Sequence, residues 1–166
     1  MAPGTPSLEP EPALHVVLVQ PEIPPNTGSI ARLCAATKVR LHLIGPLGFS
    51  LEDRYLKRAG LDYWPFVDLH VHRDWDAFIA GRANAHLILF SARTARSYLS
   101  ITHRPGAYLV FGSETRGLPA DLLATHQGAT YTIPIFNPEV RSLNLSNAVA
   151  IVVYDALRQL KRLPVD

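Results

Sequence analysis

The chain contains a single cysteine, Cys34, so no internal disulfide can form, and the reducing cytoplasm is the compartment that composition favours. Cys34 lies in an apolar helical pattern, where a buried inert thiol is expected in preference to a nucleophile. Apolar stretches fall well short of the roughly 20 residues that a membrane-spanning helix needs, so no membrane partner is expected. The opening, MAPGTPSLEPEPA, has neither the basic start nor the apolar core of a secretory signal. It reads as a Pro-rich acidic tail over residues 1–13, expected to be poorly ordered. The formal net charge is only +2, too small to declare nucleic-acid binding, although a local basic face stays open. Seven histidines are scattered without the spacing of metal ligands. His70 and His72 share one face if Phe66–Val71 is a strand, but no third ligand accompanies them. They are read as surface or rim residues, and no metal is expected. Familiar nucleotide cradles are missing as well. No GxGxxG follows the first apolar run, and FGSETRG is not a Walker loop.

What the chain does have is 48 % apolar and 18 % charged residues over 166 positions, a composition suited to one compact domain spanning residues 14–166. Short apolar runs at Leu14–Val19, Leu41–Ile44, Leu87–Phe90, Tyr108–Phe111 and Tyr131–Ile135 fit buried strands, with Phe66–Val71 a weaker sixth. Helical patterns alternate with them at Asn26–Thr37, Glu52–Ala59, Asp74–Ala80, Pro119–Thr125 and Leu145–Lys161. Alternation of this kind predicts an α/β fold with a mainly parallel sheet flanked by helices.

Ligand-facing loops in such sheets leave the carboxyl ends of the strands, and three loops there are unusual. In QPEIPPNTGSIAR, Gln20 to Arg32, the prolines set an extended approach, Asn26 or Thr27 is expected to cap a helix, and Arg32 lies about one and a half turns into it. In FGSETRGLP, Phe111 to Pro119, a polar turn carries Glu114 and Arg116 between two glycines. No histidine falls in these loops, so no Ser-His-Asp triad can be assembled there. The third loop, IPIFNPEVRSLNLSN, runs into the apolar helix NAVAIVVYDAL. That helix needs one N-cap, which Asn144 or Ser146 can supply. Arg141, Ser142, Asn144, Ser146 and Asn147 are a surplus over that need. The surplus reads either as turn residues or as a ligand site at a helix N-terminus.

Together these segments resemble the SPOUT class of RNA methyltransferases, and within it the tRNA (cytidine/uridine-34-2′-O)-methyltransferases of the TrmL or YibK type. The matching residues are PEIPPNTGSIARLCA (Pro21–Ala35), RAGLDYW (Arg58–Trp64), LVFGSETRGLP (Leu109–Pro119) and IPIFNPEVRSLNLSNAVAIVVYDALRQL (Ile133–Leu160). The resemblance implies a deep C-terminal trefoil knot, which pattern reasoning alone would exclude. It also implies S-adenosylmethionine as cofactor, held at Phe90, Gly112, Ile133, Ser142 and Leu143. A side chain at Gly112 is expected to enter that cofactor pocket. Arg32 is implied as the residue that helps activate a ribose 2′-hydroxyl, with Ser142 and Asn144 near the transfer point. A helix-surface arginine in an ordinary ion pair is the alternative reading of Arg32. Asn26, Glu114 and Arg141 are the candidate RNA contacts. Glu114 stands between RNA contact and bracing, and Arg116 is expected to brace through a charge pair. Tyr154 is expected at an interface or in the core. The implied partners are the anticodon stem-loop of tRNA and a second copy of the chain, with Arg40, Arg54, Lys57 and Arg58 as possible phosphate contacts. Rival readings are the same chemistry on another tRNA or ribosomal RNA nucleotide, and a non-catalytic RNA-binding dimer of the same fold.

Overall fold

A computed structural model describes residues 11–60 and 62–165. Most of the expected tail, residues 1–10, lies outside the described residues. Ala13 already joins the domain, its carbonyl accepting from Gly106 N at 2.7 Å.

Six strands form one sheet: β1 (Leu14–Val19), β2 (Arg40–Ile44), β3 (Leu69–His72), β4 (Leu87–Phe90), β5 (Ala107–Phe111) and β6 (Thr130–Tyr131). Their order is β3-β2-β1-β5-β4-β6, and every paired neighbour is parallel. All six residues of β1 are buried. A central parallel strand covered on both faces has no solvent side, so its apolar run does not alternate. The helices are α1 (Pro24–Thr37), α2 (Arg54–Gly60), α3 (Trp75–Ile79), α4 (Ala120–Thr125) and α5 (Leu145–Gln159). On one face Val16, Leu18, Leu41 and Leu109 pack with Ile30 and Cys34 of α1 and with Val149, Val152 and Val153 of α5. On the other face Val17, Val19, Ile44 and Val110 pack with Phe78 of α3 and Leu122 of α4. The sheet is therefore wound on both sides, and its two longest helices, α1 and α5, lie against the same surface.

Several boundaries differ from expectation, and four of them have a clear local reason. Helix α1 begins at Pro24, with the extended Ile23 as N-cap and no side-chain cap. Pro24 and Pro25 have no N–H to leave unsatisfied in the first turn, so Asn26 and Thr27 lie inside the helix and do not cap it. Strand β6 ends at Tyr131; Pro134 has no ladder donor, and the Ile133–Ile135 stretch leaves the sheet. Strand β3 starts at Leu69, because Trp64–Phe66 forms a 3-10 turn instead. Finally, Asp74 stands outside α3 and caps it, accepting from Ala77 N at 2.8 Å.

A row of imidazoles crosses the α3 face of the sheet. His15 Nδ1 lies 2.9 Å from His42 Nε2, and His42 Nδ1 lies 3.0 Å from His72 Nε2. His42 is wholly buried and His15 nearly so. His72 is therefore a partner in a buried chain and not only a rim residue, whereas His70 is held at the edge by Asp68 at 2.7 Å. Among the described residues no group of three or more His, Cys, Asp or Glu side chains is placed to hold a metal ion. None of the described helices is long and apolar enough to cross a membrane.

Candidate active site

The carboxyl ends of β4, β5 and β6 open into a cleft of about 670 Å³, within the size range of small-molecule sites. Every candidate site residue but one lines it: Phe90, Gly112 and Ile133 from the strand ends; Ser142, Leu143 and Asn144 from the approach to α5. Asn26, Glu114 and Arg141 complete the rim. Arg32 is the exception. It does not line the cleft, and its guanidinium carbon lies 4.7 Å from the centroid of the Tyr63 ring. This is a cation–π contact, and the ion pair of the alternative reading does not form among the described residues.

The three loops are tied by a directional chain of polar contacts. Glu114 accepts from the backbone N–H of Glu22 at 3.0 Å, from Ile23 at 2.7 Å, and from Asn26 Nδ2 at 3.3 Å. A carboxylate only accepts, so it fixes which way the Asn26 amide points. Asn26 Oδ1 is then left to accept from Asn144 Nδ2 at 3.0 Å. That in turn aims Asn144 Oδ1 at the start of α5, where it accepts from Asn147 N at 3.2 Å and Ser146 Oγ at 2.5 Å. The cap of α5 is thus oriented by a carboxylate on another loop. Glu114 also supplies acceptors to the N–H groups just before α1, the helix that lacks a side-chain cap of its own.

Glu22 returns the contact, accepting from Thr115 N at 3.4 Å and Thr115 Oγ1 at 2.6 Å. The Thr115 hydroxyl and then Ser113 hold the Glu22 carboxyl below its ordinary range. The charge pair expected of Arg116 does not form among the described residues. The brace is made instead by Glu114 and by Glu22, a residue that sequence reasoning does not single out. Its signal is visible, since it follows the β1 end in a loop already marked as unusual.

Gly112 sits beneath the neck of the second loop, where Gly117 N donates to Ser113 O at 2.9 Å. A Cβ on Gly112 would fall on the Gly117–Leu118 peptide, with the Gly117 oxygen 2.5 Å away. The expected entry of such a side chain into the cofactor pocket is corrected accordingly: the first obstacle is the chain's own backbone. Inside the cleft Phe90 stacks on Phe111, with centroids 4.7 Å apart and planes 10° from parallel. Cys34 is no part of the site; burial pushes its thiol up to about 12, which leaves it inert. On α5, Val149, Val152, Val153, Ala156 and Leu157 are buried within the chain, whereas Ile151 and Tyr154 are exposed. Tyr154 is accordingly not a core residue.

Comparison with known proteins agrees with this architecture. The model of the SpoU rRNA methylase family matches residues 13–154. A tRNA (cytidine(34)-2′-O)-methyltransferase of Burkholderia ambifaria is 52 % identical over 147 residues, covering 87 % of this chain and 94 % of its own. The protein of that name from Escherichia coli strain K12 is 47 % identical over 148 residues, covering 89 % and 94 %. A solved structure concerned with 2-OH methylation of C/U34 on tRNA superposes with a TM-score of 0.85 at 51 % identity, covering 89 % of this chain and 96 % of that one. The fold is shared more widely, as by the methyltransferase AviRb of Streptomyces viridochromogenes, solved with AdoMet, at TM-score 0.79 and 24 % identity over 92 % of this chain and 62 % of that one. With a family model spanning most of its length and relatives near half identical to it, this chain belongs to the SpoU rRNA methylase family.

Proposed function

We propose that this chain transfers the methyl group of S-adenosylmethionine to the ribose 2′-hydroxyl of tRNA nucleotide 34, cytidine or uridine, in the anticodon stem-loop. The observation that carries the reading is near-full-length identity of 52 % and 47 % to two proteins named for that reaction at cytidine 34. The cleft fits the cofactor, since stacked apolar rings and loop backbone suit a nucleoside carrying an aliphatic arm. Phe90, Gly112, Ile133, Ser142 and Leu143 would hold it.

When bound, the sulfonium supplies an electrophilic methyl group whose C–S bond breaks as the O–C bond forms, leaving a neutral thioether. A 2′-hydroxyl is a weak nucleophile, so the protein's task is alignment and stabilisation of developing alkoxide charge. Ser142 and Asn144 stand at the cleft to orient the hydroxyl. Arg32 stabilises the alkoxide; its guanidinium does not act as a free base, because it does not deprotonate in proteins. The hydroxyl proton passes to an RNA phosphate or to water.

Arg32 lies outside its own chain's cleft, which supports a homodimer in which each Arg32 serves the neighbouring cleft. Exposed Ile151 and Tyr154 on α5 give a second copy an apolar seat. The C-terminal trefoil knot, formed by the segments Leu109–Pro119 and Ile133–Leu160, belongs to the same reading. Arg141 meets RNA phosphate, and Asn26 with Glu114 shapes the loop surface beside it. The enzyme works in the cytoplasm.

The test is methyl transfer from labelled S-adenosylmethionine to unmodified tRNA, with the product mapped by nucleotide. A 2′-O-methyl at position 34 is expected, and Arg32→Ala should abolish turnover while cofactor affinity stays within about twofold. A methyl group elsewhere would move the target, and equal loss of turnover and cofactor binding would make Arg32 structural.

A further inference from the structure

Between Thr132 and Asn144 the chain divides its apolar side chains in two directions. Ile133 and Ile135 line the cleft, but Phe136 does not. Phe136 is 97 % exposed, the most exposed large apolar side chain among the described residues. It contributes almost nothing to the core, so folding alone gives no reason for an aromatic ring there. Nor is its position a loose tip. Pro134 and Pro138 restrict the backbone on either side. Asn137 Oδ1 accepts from Glu139 N at 2.9 Å, and Asn137 O accepts from Val140 N at 3.1 Å, closing an Asx turn directly after the ring.

The same segment borders a cleft in which basic side chains outnumber acidic ones, Glu114 being the one carboxylate among its lining residues and committed to the first loop. Arg93, Arg116 and Arg141 line the same cleft, and none has an ion-pair partner among the described residues. Three of the four other basic candidates are committed elsewhere: Arg40 to Asp68 at 2.7 Å, Lys57 to Glu52 at 2.5 Å, and Arg54 over the Tyr55 ring. An exposed aromatic ring on the segment that carries Ile133, Ile135 and Arg141 into a cleft with unpaired guanidinium groups is the chemistry that binds an unpaired nucleotide, whose base stacks while its phosphates meet the arginines.

We propose that Phe136 is a stacking platform for an unpaired base next to the methylated nucleotide, with Arg93 and Arg141 holding the flanking phosphates. The proposal rests on the reading of the cleft as an RNA methylation site and adds how that RNA is gripped. The test is direct binding of a fluorescein-labelled anticodon stem-loop RNA at fixed salt, for the full chain and for F136L and F136Y. F136L is expected to weaken RNA binding roughly tenfold or more, and F136Y to stay within about twofold because its ring still stacks. S-adenosylmethionine affinity and the sedimentation coefficient should not change in either variant.

Wild-type affinity in F136L would overturn the platform. So would equal weakening in F136L and F136Y, which would indicate loop shape rather than stacking. A shift of F136L towards monomer would assign the ring to contact between copies and overturn it too. Binding is read separately from catalysis, so the two readings can fail apart. Ring-dependent RNA binding without methyl transfer would sink only the proposed function, and methylation at position 34 with no F136L effect would sink only the platform. Absence of RNA binding by the wild-type chain would overturn both.

Discussion

Replacing Gly112 by alanine adds one methyl group at the base of the second loop, and the geometry sets where it goes. The new carbon would overlap the Gly117–Leu118 peptide, with the Gly117 oxygen at 2.5 Å. Both neighbours are backbone, and the loop neck is closed by Gly117 N donating to Ser113 O, so neither can yield cheaply. Overpacking costs about 1–3 kcal/mol where side chains can adjust; here the upper end, about 3 kcal/mol, is expected. In a domain of this size each kcal/mol lowers the thermal midpoint by about 2–4 °C, giving a fall of roughly 6–12 °C. Gly117→Ala is the matched control. Gly117 has φ +67 and open space around its Cβ position, so its cost is the left-handed strain alone, about 1–2 kcal/mol. The assay is thermal unfolding of both variants without cofactor and then with it. Gly112→Ala should fall further than Gly117→Ala before any cofactor is added. If the midpoint of Gly112→Ala stays at the wild-type value and only its cofactor affinity drops, the methyl group points into the cleft and the backbone argument is wrong.

Glu114→Gln keeps the shape but sets an amide N–H against an N–H donor, and it should cost about 2 kcal/mol through lost charge-assisted bonds. A thermal midpoint equal to wild type would mean that Glu114 does not hold the first loop. The imidazole row should make the fold acid-labile. Burial, ahead of nearby arginines, lowers His15 to about 4, and burial with His15 and His72 alongside lowers His42 to about 2. Their folded values lie below the unfolded 6.5, so stability is full above about pH 6.5 and declines as pH falls through 5. Urea midpoints at pH 7 and pH 5 read this in a window where carboxylates scarcely titrate. His42→Leu should flatten the difference, and equal wild-type midpoints at the two pH values would refute the buried neutral chain.

The elements that sequence predicts best are those dictated by one local cause. β1, β4 and β5 are apolar runs bounded by turns, and α5 begins where Asn144 can cap it. Errors arise where one signal serves two purposes. Ile133 and Ile135 look like strand residues because they are apolar, yet they wall the cleft. The prolines before Asn26 look like an extended approach, yet the first helical turn tolerates them and begins there. The histidine row is legible in part: Leu-His recurs at Leu14-His15 and Leu41-His42 and marks two of its members, but at Leu69-His70 it marks the edge residue, and the third member is His72. What is missing is register. His42 pairs with His70, but His15 pairs with Arg40, two residues out of line, so His15 reaches His42 on a diagonal. Parallel strands far apart in sequence carry no local mark of that offset.

The site divides in the same way. That ligand-facing loops gather at strand ends is a rule of the fold class, whereas the particular cofactor residues, Phe90 among them, are implied only by the family resemblance. What the loops do to one another does not follow, because Glu114, Asn26 and Asn144 lie 88 and 118 residues apart along their two contacts. Only the closed fold makes an acceptor-only carboxylate set the direction of two amides in succession. That ordering has a functional consequence for the proposed reaction. Asn144 both caps α5 and lines the cleft, so a rearrangement of the first loop would be felt at the transfer point through Asn26. Arg32 rides on α1 behind the same loop. The residues assigned to alignment and to charge stabilisation therefore share one support, and Glu114 is the group that holds it to the sheet.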